Sequence, residues 1–107
     1  MEDLGEAERA RLFERFGRSY EAGTQIYAEG DTATHCHLIQ EGRVRLVKRI
    51  RSSDRSLTVL RPGDLFGEDA LLSQGARGAS AVALTDVSVL ALDRKTFGVL
   101  LSSNPDV

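Results

Sequence analysis

The stretch RPGDLFGEDALLSQGARGASAVAL, residues 61–84, decides how this chain is read. It opens on a Pro62-Gly63 turn and passes through Phe66-Gly67-Glu68 into a short apolar piece, Ala70, Leu71 and Leu72. It turns again at Gly75, then runs through Arg77-Gly78-Ala79 into an apolar strand-like segment. This order of residues builds an anion site. Gly67 has no Cβ, so backbone can approach a ligand closely. Residues 69–72 read as one helical turn whose free N–H groups point at a phosphate. Arg77 supplies a permanent charge and a planar fork of donors that matches phosphate oxygens. Glu68 suits a sugar hydroxyl. A carboxylate placed against the phosphate would repel it, so Glu68 and Arg77 belong at opposite ends of the ligand.

Outward from this stretch the chain reads as short strands. They are expected at residues 19–21, 25–27, 35–39, 43–48 and 56–60, with two more at 79–84 and 87–92. Between them lie Ala22-Gly23, Glu29-Gly30-Asp31, Glu41-Gly42 and the turn at 61–64, all turn chemistry. Val44 and Leu46 alternate with Arg43 and Arg45, and Leu57 and Val59 alternate in the same way. Short strands at regular spacing, joined by turns, indicate a β-sandwich or jelly roll. Helices flank them. Residues 6–17 place Glu6 and Glu8 at the positive end, Arg15 and Arg18 at the negative end, and Leu12, Phe13 and Phe16 on an apolar face, with Gly17 as the stop. Asp93 is the expected N-cap of a second helix over 93–101. Asn104-Pro105-Asp106 reads as the start of a third, so the expectation is one domain over 1–107, cut at the start of a following helix.

Composition narrows the function classes. The chain has 107 residues, 41% hydrophobic and 28% charged, which suits one modest globular core. No apolar run approaches the roughly 20 residues of a membrane-spanning helix. Residues 1–11 are charged and acidic, unlike a secretory signal, and the expected location is cytoplasmic. A net charge of −2 gives no overall basic surplus for nucleic acid. The single cysteine, Cys36, excludes an intrachain disulfide and an all-cysteine metal site.

In this setting FGE-x-ALL at 66–72, the nine-residue step from Glu68 to Arg77, and then RGAS at 77–80 and TDV at 85–87 resemble the phosphate-binding cassette of cyclic nucleotide-binding domains. Catabolite activator protein and the regulatory subunit of cAMP-dependent protein kinase contain such domains. AGT at 22–24, EGD at 29–31, EGRVRLV at 41–47 and TDVSVLALDR at 85–94 extend the resemblance over residues 5–107. It implies a mainly β fold: an eight-stranded β-roll (a jelly roll or double-stranded β-helix) with short flanking α-helices. It further implies that Arg77 grips the exocyclic phosphate oxygens while Glu68 and the Gly67 backbone bind the ribose 2′-hydroxyl. Backbone at Ala70, Gly78 and Ala79 completes the cradle, and Leu46 and Leu57 line the base. Gly78 stands where related sequences often carry Ala, Ser or Thr; the missing hydroxyl favours cAMP over cGMP. The implied ligand is thus a cyclic nucleotide, with no other cofactor. The implied partner is an effector outside this chain, such as the DNA-binding part of a bacterial transcription regulator. No direct DNA binding is expected from these residues, and a homodimer would form through the following helix.

Other features of the sequence offer rival readings. His35-Cys36-His37 puts two imidazoles on one strand face, and His-x-His-x-x-x-Glu, ending at Glu41, is similar to the first metal motif of cupins. That rival, a metal-dependent enzyme, needs a later histidine, and none follows His37. The plainer expectation packs Cys36 inward as a small hydrophobe and leaves both histidines at the surface. Residues 61–84 contain no His or Cys for haem. Residues 43–61 hold seven basic side chains against one acid, Asp54, which reads as a solvated hairpin or as the anion-docking patch of a ligand-free interaction domain. No nucleophile–base pair stands out, so the chain reads as a non-enzyme.

Overall fold

The computed structural model describes residues 5–103. Helix α1 (Glu6–Phe16) leads directly into β1 (Gly17–Tyr20). The junction needs glycine: a Cβ at Gly17 would run into the carbonyl and ring of Phe13 one helical turn earlier. Then follow β2 (Gln25–Tyr27), β3 (His35–Glu41), β4 (Val44–Ile50), β5 (Ser53–Leu60), β6 (Leu65–Phe66), α2 (Glu68–Ser73), β7 (Ser80–Ala83), β8 (Val87–Asp93) and α3 (Arg94–Ser103). The strands form two four-stranded antiparallel sheets, ordered β1-β8-β3-β6 and β2-β7-β4-β5. This is the expected mainly β roll with short flanking helices. The helix start expected at Pro105 lies outside the described residues.

Two apolar clusters hold the domain together. Between the sheets, Ile39, Val44, Phe66, Ala81, Ala83, Val87 and Val89 are buried, with Tyr27 and Leu46 packed at their edge. On the outer face of the first sheet, Cys36, Leu38, Leu90 and Leu92 are covered by Leu71 of α2, Phe97 of α3, and Leu12 and Phe16 of α1. Strands β3 and β8 are therefore covered on both faces. Asp93 caps α3 as expected, its Oδ1 accepting the Thr96 N–H at 2.7 Å.

Three details correct the sequence reading. The two-residue strand β6 pairs with His37 and Leu38 of β3 in a stretch expected to have no strand. His37 is only 4% exposed, not at the surface. It points between the sheets and stacks on Phe66 with ring centroids 5.0 Å apart, while Cys36 is fully buried beneath the helices, as expected. Third, Leu57 does not share the packed face of Leu46. Leu46 pairs with Thr58 and Val47 with Ser56, so a bulge leaves Leu57 without a cross-strand partner. Leu57 is 52% exposed and Val59 36%, so the expected alternation on this edge strand buries neither.

Candidate functional site

The site grows from the 65–80 segment. After β6 the chain enters Gly67 at φ +81°, a left-handed conformation that glycine adopts without steric cost. A Cβ there would sit 2.5 Å from Arg77 Nη1. Only a glycine lets the backbone pass the arginine this closely. Helix α2 starts at Glu68, the first N–H groups of its turn, Ala70's included, having no carbonyl within the helix to bond. Leu71 anchors the helix in the outer core. The helix stops at Gln74, whose φ of +58° reverses the chain, and Gly75 N–H bonds the Ala70 carbonyl at 2.9 Å.

The return segment is braced by the turn after β2. Arg77 N–H donates to Asp31 O at 2.7 Å, Gly30 N–H to Arg77 O at 2.8 Å, and Ala33 N–H to Gly75 O at 3.2 Å. The turn is itself tied by Asp31, whose Oδ2 accepts the Ala28 N–H at 3.0 Å. The Glu29-Gly30-Asp31 turn thus fixes where Arg77 leaves the backbone.

Arg77 is 5% exposed and reaches inward. Nη1 donates to Gly67 O at 2.7 Å, Nη2 donates to His35 O, and the guanidinium lies over the Tyr27 ring, 4.0 Å from its centroid. Among the described residues the ion pairs are Lys48–Glu29 and Arg49–Asp54, so no carboxylate neutralises this buried charge. Glu68 is half-buried and pairs with no cation among those residues. Arg77 and Glu68 form no ion pair with each other among the described residues. Ala70 and Ala79 are half-buried, Gly78 is exposed, and Leu46 is half-buried against the inter-sheet core.

The local field follows from burial and from Arg77. Burial pushes the Tyr27 hydroxyl up, with Arg77 opposing and Glu68 adding to the rise. Burial, reinforced by Glu68, pushes the Cys36 thiol up to about 11. His37 is held down to about 3 by burial first and then by Arg77, His35 and Arg18. Its Nδ1 is buried with no hydrogen-bond partner among the described residues. His35 is also lowered, by burial and then by Arg18. Among the described residues no three His, Cys, Asp or Glu side chains gather where they could hold a metal ion, so the cupin-like motif is not assembled. The sequence reading missed Tyr27, the carbonyl of His35, and the pair Glu29–Lys48. None lies within the 61–84 stretch, and only the EGD turn hinted that residues near 29 mattered.

The family described as the cyclic nucleotide-binding domain matches residues 17–104. The chain belongs to that family. As a cyclic nucleotide-binding domain it is 40% identical over 89 residues to the cyclic AMP receptor protein of Thermus thermophilus, covering 82% of this chain and 41% of that protein. It is 35% identical over 108 residues to the cAMP-dependent protein kinase regulatory subunit of Aspergillus niger, covering 100% of this chain and 26% of that one. The crystal structure of Thermus thermophilus catabolite activator protein superposes with a TM-score of 0.79 at 37% identity, covering 96% of this chain and 49% of that chain. The cyclic nucleotide-binding domain described here therefore spans less than half the length of these relatives. Among its described residues no helix is long and apolar enough to cross a membrane.

Proposed function

We propose that this domain is a non-enzymatic cytoplasmic sensor that binds a 3′,5′-cyclic purine nucleotide, cAMP in preference to cGMP. One observation carries the reading: Arg77 is a nearly buried guanidinium with no carboxylate partner among the described residues. A buried charge is normally paired, and an anionic phosphate supplies the missing partner. Two guanidinium N–H groups already hold Gly67 O and His35 O, which orients the remaining donors for phosphate oxygens. Glu68, which pairs with no cation among the described residues, takes the ribose 2′-hydroxyl beside the Gly67 backbone. The backbone N–H groups of Ala70, Gly78 and Ala79 complete the cradle. Leu46, packed at the edge of the inter-sheet core, gives the base an apolar wall, while Leu57, exposed at the bulge, drops out of the lining. A singly charged, doubly esterified phosphate matches one arginine.

The output lies outside these residues in this proposal. Ligand shifts the population of α2 and α3 arrangements by its differential affinity for them. The similarity to the cyclic AMP receptor protein of Thermus thermophilus favours the sensor half of a transcription regulator, dimerising through a following helix, with operator recognition elsewhere. Calorimetric titration with cAMP and cGMP, on the wild-type chain and on Arg77→Ala, tests the binding step. A charged hydrogen bond contributes ~1.5–3 kcal/mol, so the variant binds cAMP about 10- to 150-fold more weakly. Equal affinity in the variant, or no nucleotide heat in the wild type, overturns the assignment.

A further inference from the structure

A second polar cluster adjoins the cassette at Gly78 and Ser80. Glu29, at the turn after β2, divides its carboxylate between two groups of β4: Oε1 accepts the Arg49 N–H at 3.0 Å and Oε2 lies 3.3 Å from Lys48 Nζ. The backbone N–H of Glu29 donates to Ser80 Oγ at 2.8 Å, at the start of β7. Lys48 Nζ donates in addition to the carbonyl of Gly78 at 3.0 Å. Three segments distant in sequence thus converge on one ammonium. Its side chain is 43% exposed and that of Glu29 is 32% exposed, so neither belongs to the core.

The carbonyl that Lys48 holds belongs to the Gly78–Ala79 peptide. Gly78 is the least constrained point of the return segment: it is exposed, and a Cβ placed on it would meet nothing within 4 Å. A glycine at such a point loses more conformational freedom on ordering than any other residue. The peptide is trans, so its N–H, that of Ala79, points away from the carbonyl and hence away from Lys48. Fixing one end of the peptide fixes the other.

We infer that Lys48, oriented by Glu29, is a positioning residue for the anion site: it holds the Gly78 carbonyl and so presets the direction of the Ala79 N–H before a ligand arrives. The inference rests on the cyclic-nucleotide reading of the cassette. It assigns a role to two residues outside the 61–84 stretch and explains how a glycine is accommodated at position 78.

The test combines two measurements on the wild-type chain, Lys48→Met, Lys48→Arg and Glu29→Gln. Amide hydrogen exchange without nucleotide reads the tether directly. Lys48→Met speeds exchange across residues 77–80 and leaves β8 unchanged, while Lys48→Arg restores protection because a guanidinium can still reach both oxygens. Titration with cAMP then reads the consequence. Lys48→Met binds about five- to tenfold more weakly, the loss of one modest hydrogen bond, at a melting temperature close to wild type. Lys48→Arg recovers most of the affinity, and Glu29→Gln falls between. Wild-type affinity and unchanged exchange in Lys48→Met overturn the inference and leave the cassette assignment standing. Absence of cAMP binding in the wild type overturns the cassette assignment, and with it the role of Lys48 in binding.

Discussion

The Arg77 guanidinium lies 4.0 Å from the centroid of the Tyr27 ring, so the buried cation rests on an aromatic face. Such a contact contributes about 2 kcal/mol when desolvated, and here it also fixes the plane of the fork. Tyr27→Phe keeps the ring, and its unfolding free energy is expected within about 0.5 kcal/mol of wild type. Tyr27→Leu removes the platform and is expected to lose about 2 kcal/mol. Because the chain has no tryptophan, unfolding is best followed by circular dichroism in urea. Equal stability of the leucine and phenylalanine variants would show that the ring does not support the arginine.

Gly67 faces two demands at once, a positive φ and the approach of Arg77. Alanine there places a Cβ 2.5 Å from Nη1 and 3.3 Å from Cζ, in addition to the backbone penalty. Gly23 provides the control. Its φ is +89°, yet nothing lies within 4 Å of a Cβ. Gly23→Ala therefore carries only the left-handed strain, about 1 kcal/mol. Gly67→Ala is expected to cost about 2–4 kcal/mol and to weaken cAMP binding at least as much as Arg77→Ala, since the guanidinium must move. Equal costs at the two glycines would mean that Arg77 yields freely.

Much of this was legible in local pattern. Val44 is buried and Leu46 half-buried while Arg43 and Arg45 face solvent, as strict alternation requires. The Asp93 cap is a rule of three residues, and the structure meets it with a bond to Thr96. What pattern could not supply was context across strands. His37 looked like a surface residue because histidine type and alternation are silent on whether both faces of a strand are covered. β3 lies between β8 and β6, with a core on each side. Two residues, Leu65 and Phe66, are too few to display a period, so β6 was invisible. Leu57 was misjudged because a bulge breaks parity without changing composition. The Lys48–Glu29 pair joins positions 19 apart, and no local rule links them.

His37 makes stability depend on pH. Its folded pKa of about 3 lies below the ordinary 6.5, and the positive groups that face it, Arg77, His35 and Arg18, all disfavour the imidazolium. Between these values the unfolded chain binds a proton that the folded chain refuses. Stability is then full above about pH 6.5 and falls as the pH drops toward 3, by at most ~1.4 kcal/mol per pH unit. His35 is also lowered, so it contributes in the same direction. Glu29 and Asp93, both lowered, begin to lose their stabilisation only as the pH falls into the ordinary carboxylate range. His37→Phe keeps a ring against Phe66, removes the unpartnered Nδ1, and isolates the effect between pH 6.5 and 4.5. The variant's stability advantage should widen steadily across that window. A constant difference would mean that His37 takes up its proton in the folded state.

The β4–β5 hairpin carries a correctable local conflict. Its two-residue loop, Arg51-Ser52, has φ of +51° and +70°, positive at both positions as a type I′ turn demands. Neither residue prefers that region; each side chain contributes roughly 1 kcal/mol of strain. Asn-Gly is the sequence that such a turn favours, because Asn tolerates the left-handed region and Gly has no Cβ to clash. Part of the gain is offset, since a new glycine adds freedom to the unfolded chain. The double variant Arg51→Asn, Ser52→Gly is therefore expected to gain about 1 kcal/mol, a rise in melting temperature of about 4–8 °C for a domain of this size. It also removes one positive charge from the basic hairpin, leaving the Lys48–Glu29 and Arg49–Asp54 pairs in place. cAMP affinity should not change, because the turn lies at the far end of β4 from Leu46. A double variant no more stable than wild type would show that Arg51 and Ser52 accommodate their positive φ without strain, and that the hairpin gains nothing from the Asn-Gly rule.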